Sequence, residues 1–213
     1  HCLSRGLGDV YKRQSLINYG GLVSGDTLTG TYSGVFDNAN VGTGKTVTIT
    51  SSYGGTDVNN YTITDQASTT ADVTAKALTA TASAVNKTYD ASDTATTTLT
   101  LSGFIGTETV TSTNSSTFND KNVGTDKTVT VNSITLADGT NGGLAANYSI
   151  STGQTTTADV TAKALSVSGI TASNKTYDAT TTATLNTGSV TYTGLVSGDV
   201  FNGTYTGAFS DKN

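Results

Sequence analysis

Through most of the chain, small or apolar residues occupy every second position and Thr or Ser fills the positions between. Ala77–Ala82 has this form, and so does Thr94–Leu101. Thr128–Leu136 places Val, Ile and Leu at period two, with one slip of phase near Ser133. Tyr148–Ile150 and Ala158–Ala162 continue the pattern. Alternation of this kind sets one face of a strand on a core and leaves the other in water. Turn-formers separate the runs: Gly124-Thr125-Asp126, Asp138-Gly139 and Asn141-Gly142-Gly143. No stretch carries apolar residues at helical spacing between caps. The pattern predicts an all-β chain.

The runs recur in order. Ala71–Leu78 returns letter for letter as Ala158–Leu165, 87 residues later. Asn86–Ala91 returns as Asn174–Ala179 at an offset of 88. Gly21–Asp26 returns as Gly194–Asp199, two periods on, with a drifted copy at Gly103–Glu108 between them. Val41–Thr48 matches Val123–Thr130, and Asn60–Ile63 matches Asn147–Ile150. Solenoid rungs take only about 20–30 residues, whereas a period near 90 suits a whole immunoglobulin-like sandwich of about seven short strands. We therefore expect tandem Ig-like antiparallel β-sandwich modules: a partial one over 15–75, a complete one over 76–163 and a partial one over 164–213. Both flanking units are cut inside a module, so a longer parent chain is expected.

Composition sharpens this picture. Thr supplies 47 of the 213 residues, and Pro, Met and Trp are absent. A β-branched residue of this kind suits a pleated, half-wet surface. Only 34% of residues are apolar, which rules out one large fused core and allows several thin sandwiches. Asp outnumbers Glu 15 to one (Glu108), which puts the acidic charge in turns. A net charge of −5 excludes a nucleic-acid partner, which needs a basic face. No apolar run is long enough to span a membrane as a helix.

Residues 1–14 differ from the rest. They hold the only Cys (Cys2), the only His (His1) and both Arg, and the texture changes at Ser15. The segment resembles a translated sequencing-adapter string of the kind found at the ends of metagenomic gene predictions. It lacks the apolar stretch of a signal peptide, so we expect a non-native segment. The remainder keeps eight Lys against 15 acids, and no Cys, His or Arg.

Several blocks together resemble the YDG-type repeat and its relatives, the mostly bacterial Ig-like modules. They are Lys87–Ala91, Gly194–Asp199, Thr204–Phe209 with Asp211–Asn213, Asn147–Ile150 and Ala158–Leu165. The resemblance spans essentially all of 15–213. It implies tandem surface repeats of filamentous-haemagglutinin-like exoproteins, secreted to the outer surface of Gram-negative bacteria and serving adhesion; it implies no catalytic residues. Ala91 and Ala179 stand where the repeat's name has Gly. If that position needs a positive φ, Ala is strained there or the turn differs. The absence of Cys from the modules fits a chain threaded unfolded through an outer-membrane pore. The junction Ala71–Ala82 contains neither Pro nor Gly, so the linker is short, unlike a Gly/Ser tether. We expect a semi-rigid rod in which each module adds roughly 35–45 Å.

Candidate sites each have a plain alternative. Tyr89-Asp90 and Tyr177-Asp178 suggest either a ligand site or a tyrosine that pins a strand corner, and we expect the pin. Lys87 near Asp90, and Lys121 beside Asp120, suggest an intramolecular isopeptide bond, which needs a buried acid that nothing identifies. Asp138-Gly139-Thr140-Asn141-Gly142 suggests Ca²⁺, but the spacing departs from a full calcium loop and a turn is favoured. Sequons stand at Asn60, Asn86, Asn114, Asn147, Asn174 and Asn202; 16 Asn in so Ser/Thr-rich a chain yield about five by chance.

Without His or Cys in the modules, zinc sites and Ser–His or Cys–His catalysis lack their reagents. We expect no enzyme, no cofactor and no metal. The expected function is a structural spacer of an adhesin, with neighbouring repeats of the chain as partners. The alternative is that the repeats themselves bind glycans, matrix or neighbouring cells.

Overall fold

The computed structural model describes residues 19–211, so the 1–14 segment lies outside the described residues. The chain is all-β and its sheets are mostly antiparallel. Among the described residues, every strand pairing stays inside one repeat.

In the first repeat β1 (Thr29–Phe36), β2 (Gly42–Gly54) and β3 (Ser68–Val73) form one sheet in that order. Tyr32 stands opposite Ser51, Gly34 opposite Ile49 and Phe36 opposite Val47, so the apolar residues of both strands share one face. The register shifts between Gly42 and Lys45. At this bulge Gly44 takes φ 60°, and its N–H donates to Asp72 Oδ1 at 2.8 Å.

The middle repeat holds β4 (Lys76–Ala77), β5 (Thr79–Ala84), β6 (Lys87–Thr88), β7 (Thr94–Ala95), β8 (Thr97–Ser102), β9 (Val110–Phe118), β10 (Gly124–Asp138), β11 (Tyr148–Ser149) and β12 (Thr155–Thr161). Its main sheet runs β6-β12-β10-β9-β7, and β5 pairs with β8. The bulge recurs between Gly124 and Lys127, where Asp126 takes φ 49° and its N–H donates to Asp159 Oδ1 at 2.9 Å. Two short pairings are parallel, β6 with β12 and β4 with β11. These are an addition to the expected antiparallel sandwich.

Inward residues of this repeat close a core. Val129, Val131 and Val160 are fully buried, and Ala95, Phe118 and Ala158 cluster with Val129 and Val160. Burial along β10 follows odd positions to Val131 and even ones from Ile134, which is the expected slip near Ser133. β9 escaped the alternation because its core face carries polar residues. Buried Ser116 and half-buried Asn114 are satisfied by Thr97, whose Oγ1 lies 2.7 Å from Ser116 Oγ.

In the third repeat β13 (Ser166–Ser168), β14 (Thr171–Ala172), β15 (Thr182–Ala183), β16 (Leu185–Asn186), β17 (Thr191–Thr193) and β18 (Gly207–Ala208) pair as β13-β17, β14-β16 and β15-β18. By alignment, β13 and β14 correspond to β5, and β16 and β17 to β8. Gly169, at φ 83°, and Thr187–Ser189 are the extra residues that split them. The backbone at Gly169 passes so close to the Ser189 carbonyl that a Cβ would collide with it. This insertion turns the offset of 87 into 88. Ala183 pairs with Gly207 as Ala95 pairs with Ser116. Leu185 packs where Thr97 bonded Ser116, and Gly207 makes room for it.

The chain forms two compact units whose limits differ from those of the repeats. One takes in the described residues 19–78 with Phe104–Thr111 and Ala137–Ser149. It holds the buried residues Leu78, Val110 and Tyr148. The other takes in Thr79–Gly103, Ser112–Leu136 and the described residues 150–211, and it holds the valine core.

Val129→Ala is expected to lower stability by about 2 kcal/mol, from two lost methyls plus a cavity. Val123→Ala, at a site 54% exposed, should change it by less than about 0.5 kcal/mol. Urea denaturation of the full chain measures both.

Candidate functional site

Polar side chains gather in three kinds of cluster, and each recurs between repeats. The first joins a tyrosine to an acid. Tyr61 Oη donates to Asp26 Oδ2 at 2.6 Å and accepts from the Val23 N–H at 2.9 Å. Tyr148 Oη donates to Glu108 Oε2 at 2.6 Å and accepts from the Ile105 N–H at 3.1 Å. Burial, then the bond to Glu108, pushes the Tyr148 phenol above its ordinary pKa; the bond to Asp26 does the same to Tyr61. The Tyr148 ring meets Phe104 edge-on, with centroids 5.7 Å apart. Each hydroxyl thus pins a glycine-containing loop to the residue that closes a short 3-10 turn later in the repeat.

Within a repeat this pin is made by Tyr61 and Tyr148, while Tyr89, for which a structural role is expected, makes a different contact. The repeated Asn-Tyr-x-Ile block was the available signal. Tyr89 packs its ring against the valine core, and its hydroxyl donates to Asp199 Oδ1 in the third repeat at 3.0 Å. Tyr177, the corresponding residue, is 70% exposed.

The second cluster is a lysine knot. Lys87 Nζ lies 2.7 Å from Asp90 Oδ1, donates to the carbonyls of Ser92 and Thr94, and sits over the Phe118 ring. Lys175 Nζ repeats this with Asp178 at 2.7 Å, the carbonyls of Thr180 and Thr182, and the Phe209 ring. Each Asp also accepts the N–H two residues on, from Ser92 and Thr180. Between acid and N–H donor, Ala91 takes φ 63° and Ala179 φ 59°. The position therefore needs the left-handed region, and Ala is strained in it.

The third cluster lies at the bulge. Lys127 Nζ meets Asp120 Oδ1 at 2.7 Å, and Lys45 meets Asp37 Oδ1 at 3.2 Å. Asp120 is thus paired with Lys127 rather than with the adjacent Lys121. Lysine hydrogen bonds hold the carboxyls of Asp37, Asp90 and Asp120 below the usual range, and that of Asp178 at about 2. Isopeptide formation requires the acid in its neutral form. These acids are half-exposed and stabilised as carboxylates, so neither Lys87 nor Lys121 has the environment that reaction needs.

The loop at Asp138 spends its polar groups on itself and on the neighbouring Thr107–Thr109 segment. Asp138 Oδ1 accepts the Ala145 N–H at 2.7 Å, and Asn141 Nδ2 donates to the Thr107 carbonyl at 2.9 Å. Among the described residues no cluster of three or more His, Cys, Asp or Glu gathers. Of the sequons, three asparagine side chains are engaged: Asn86 Oδ1 accepts the Asp159 N–H at 2.7 Å, Asn114 is bonded to Thr97, and Asn147 Oδ1 accepts the Val41 N–H while its Nδ2 donates to Asn40 Oδ1, both at 2.9 Å.

A groove of about 830 Å³ runs over the first repeat, lined by Tyr32, Phe36, Val47, Ile49 and Tyr53. It is the face that the middle repeat closes into its core: Phe36 corresponds to Phe118, and Val47 and Ile49 to Val129 and Val131. The stretch from β5 to β8, which supplies Ala84, Tyr89 and Ala95 to that core, has no counterpart among the described residues of the first repeat.

A thin all-β, sandwich-like fold that recurs along the chain, with its polar groups bonded within and between copies, defines a tandem repeat protein. The family model of the YDG domain matches three times, at residues 11–71, 74–158 and 161–213. The chain belongs to the YDG domain family. No curated protein and no solved structure matches it.

Ala91→Gly and Ala179→Gly should each stabilise the chain by about 0.5–1 kcal/mol, the relief of left-handed strain less the entropy of glycine. The midpoint of thermal or urea unfolding reports it. The depressed carboxylates contribute stability that is complete above their unfolded value of 3.8 and is lost as pH falls toward about 2. The melting temperature is therefore expected to hold from pH 7 to about 4.5 and to drop below it. The Asp178 carboxyl carbon, followed by NMR, should titrate near pH 2.

Proposed function

We propose that this chain is part of the spacer of a large adhesin exported to the outer surface of a Gram-negative cell, where its repeats hold a distal region away from the membrane. The observation that carries this reading is where the polar groups go. Tyr61, Tyr148, Lys87, Lys175, Lys127 and the acids they meet are consumed by hydrogen bonds inside the repeats. A binding or catalytic site would leave such groups converging on free space. Here they recur with the period of the fold, as groups that hold a structure do. The role is structural rather than catalytic.

Two further features support a stiff spacer. Only Thr74 and Ala75 separate β3 from β4, so the first junction has little slack. Successive repeats also touch through side chains, at Asn147 with Asn40 and at Tyr89 with Asp199. The alternative, that the repeats themselves engage glycans, predicts an exposed cluster kept from copy to copy. Instead the loops differ: Gly54–Asp57 in the first repeat against Asp138–Gly143 in the middle one.

The full chain at micromolar concentration is expected to show no saturable binding on a glycan array or on matrix-coated wells. Tethered by its ends and pulled, it should show a discrete unfolding event from the middle repeat, releasing on the order of 300 Å of contour. Saturable binding to one glycan class would favour the alternative.

A further inference from the structure

We propose that consecutive YDG repeats are closed onto one another by two side-chain clasps, and that the tyrosine of the Lys-Thr-Tyr-Asp-Ala turn is the docking point for the acidic loop of the next repeat. The first clasp is the bond from Tyr89 Oη to Asp199 Oδ1 at 3.0 Å. The second links Asn147 to Asn40 and to the Val41 N–H at 2.9 Å. Each clasp lies inside one compact unit and joins residues of adjacent repeats.

The repeat supplies its own comparison. Asp199 occupies the position of Asp26 and Glu108, which accept the hydroxyl of their own repeat's Tyr61 or Tyr148 through one carboxylate oxygen. A carboxylate has two oxygens and about four acceptor sites, so the loop acid can hold its own tyrosine and that of the preceding repeat together. The turn that carries the docking tyrosine is built in advance. Lys87–Asp90 and Lys175–Asp178 have the same 2.7 Å pair, the same carbonyl contacts and the same positive φ at the following alanine.

Where the partner loop is present, Tyr89 is half-buried; Tyr177, whose turn is the same, is 70% exposed. The amide clasp behaves alike. Val41, with Asn147 upon it, is 36% exposed, and the matching Val123 is 54% exposed. Tyr177 with Asp178, and Asn122 with Val123, are thus open copies of the two docking points. Tyr177 fits the Gly-x-x-x-Gly-acid loop of a further YDG repeat, and Asn122 with Val123 fit the Asn-Tyr-x-Ile asparagine of the repeat that follows their own. Hydrogen bonding explains why the contact is placed here: a phenol donating to a carboxylate at a half-covered edge is stronger than a neutral pair and depends on direction. Burial and the Asp199 carboxylate both push the Tyr89 phenol above its ordinary pKa, as this geometry requires.

The inference rests on the spacer reading and names what stiffens its joints. Its test involves no ligand, so the two can fail separately. Amide hydrogen exchange on the full chain offers one probe per clasp. The Asp199 N–H bonds the Val196 carbonyl, the Val41 N–H bonds Asn147, and the Val131 N–H reports the core. Tyr89→Phe keeps the ring in place and should speed exchange at Asp199 about tenfold, while Tyr177→Phe leaves it unchanged. Asn147→Ala should do the same at Val41. Val131 should stay protected in all three. Asp199→Asn should lower the titration midpoint of the Tyr89 phenol. Unchanged exchange at Asp199 in Tyr89→Phe overturns the tyrosine clasp. Equal acceleration at Val131 also overturns it, because Tyr89 would then serve the core alone, as does a Tyr89 midpoint that ignores Asp199→Asn.

Discussion

Everything in this molecule depends on covering one face of a long two-stranded ribbon. β9 and β10 of the middle repeat, like β1 and β2 of the first, present Phe and Val or Ile on a single side. That face is sound only when other strands lie upon it, because a pair of strands alone buries too little apolar surface to offset its ordering entropy. In the middle repeat the residues around Ala84, Tyr89 and Ala95 do this, and Val129, Val131 and Val160 reach full burial. In the first repeat the corresponding face is the open groove beneath Tyr32, Phe36 and Ile49. The groove and the core are one surface in two states of cover.

With so few apolar residues, the thin core leaves much of the ordering to polar groups. Lys87 and Lys175 lay their stems over an aromatic ring and spend their ammonium protons on an acid and two carbonyls. The bulge residue before Lys127 is held by Asp159, and the one before Lys45 by Asp72. Exposed ion pairs contribute little by themselves. Here their effect is geometric: they fix turns that the backbone would otherwise sample freely.

Repetition also shows which features the fold requires. Position 44 is Gly and position 126 is Asp, yet both take a positive φ at the same bulge. Ala91 and Ala179 take the left-handed conformation despite their Cβ, because the Asp side chain before them and the lysine knot around them over-determine the turn. Thr97 with Ser116, and Leu185 with Gly207, show two solutions at one core site, a hydroxyl pair and a packed leucine.

The alternation of Thr with small apolar residues determined by itself that the chain is all-β, because period two admits only a strand with one wet face. The ordered blocks determined the repeat, its length and its family. They also located the slip in β10, since a change of phase in the pattern is a change of face. The strand β9 was hidden, because its inward Ser and Asn look like surface until Thr97 is brought across to satisfy them. Tyrosine roles were likewise beyond the sequence. Tyr61, Tyr89 and Tyr148 differ only in what lies opposite, and the partners Asp26, Asp199 and Glu108 are 35, 110 and 40 residues away. Hydrogen bonds over such separations have no local signature; only the closed sheets decide which hydroxyl meets which acid.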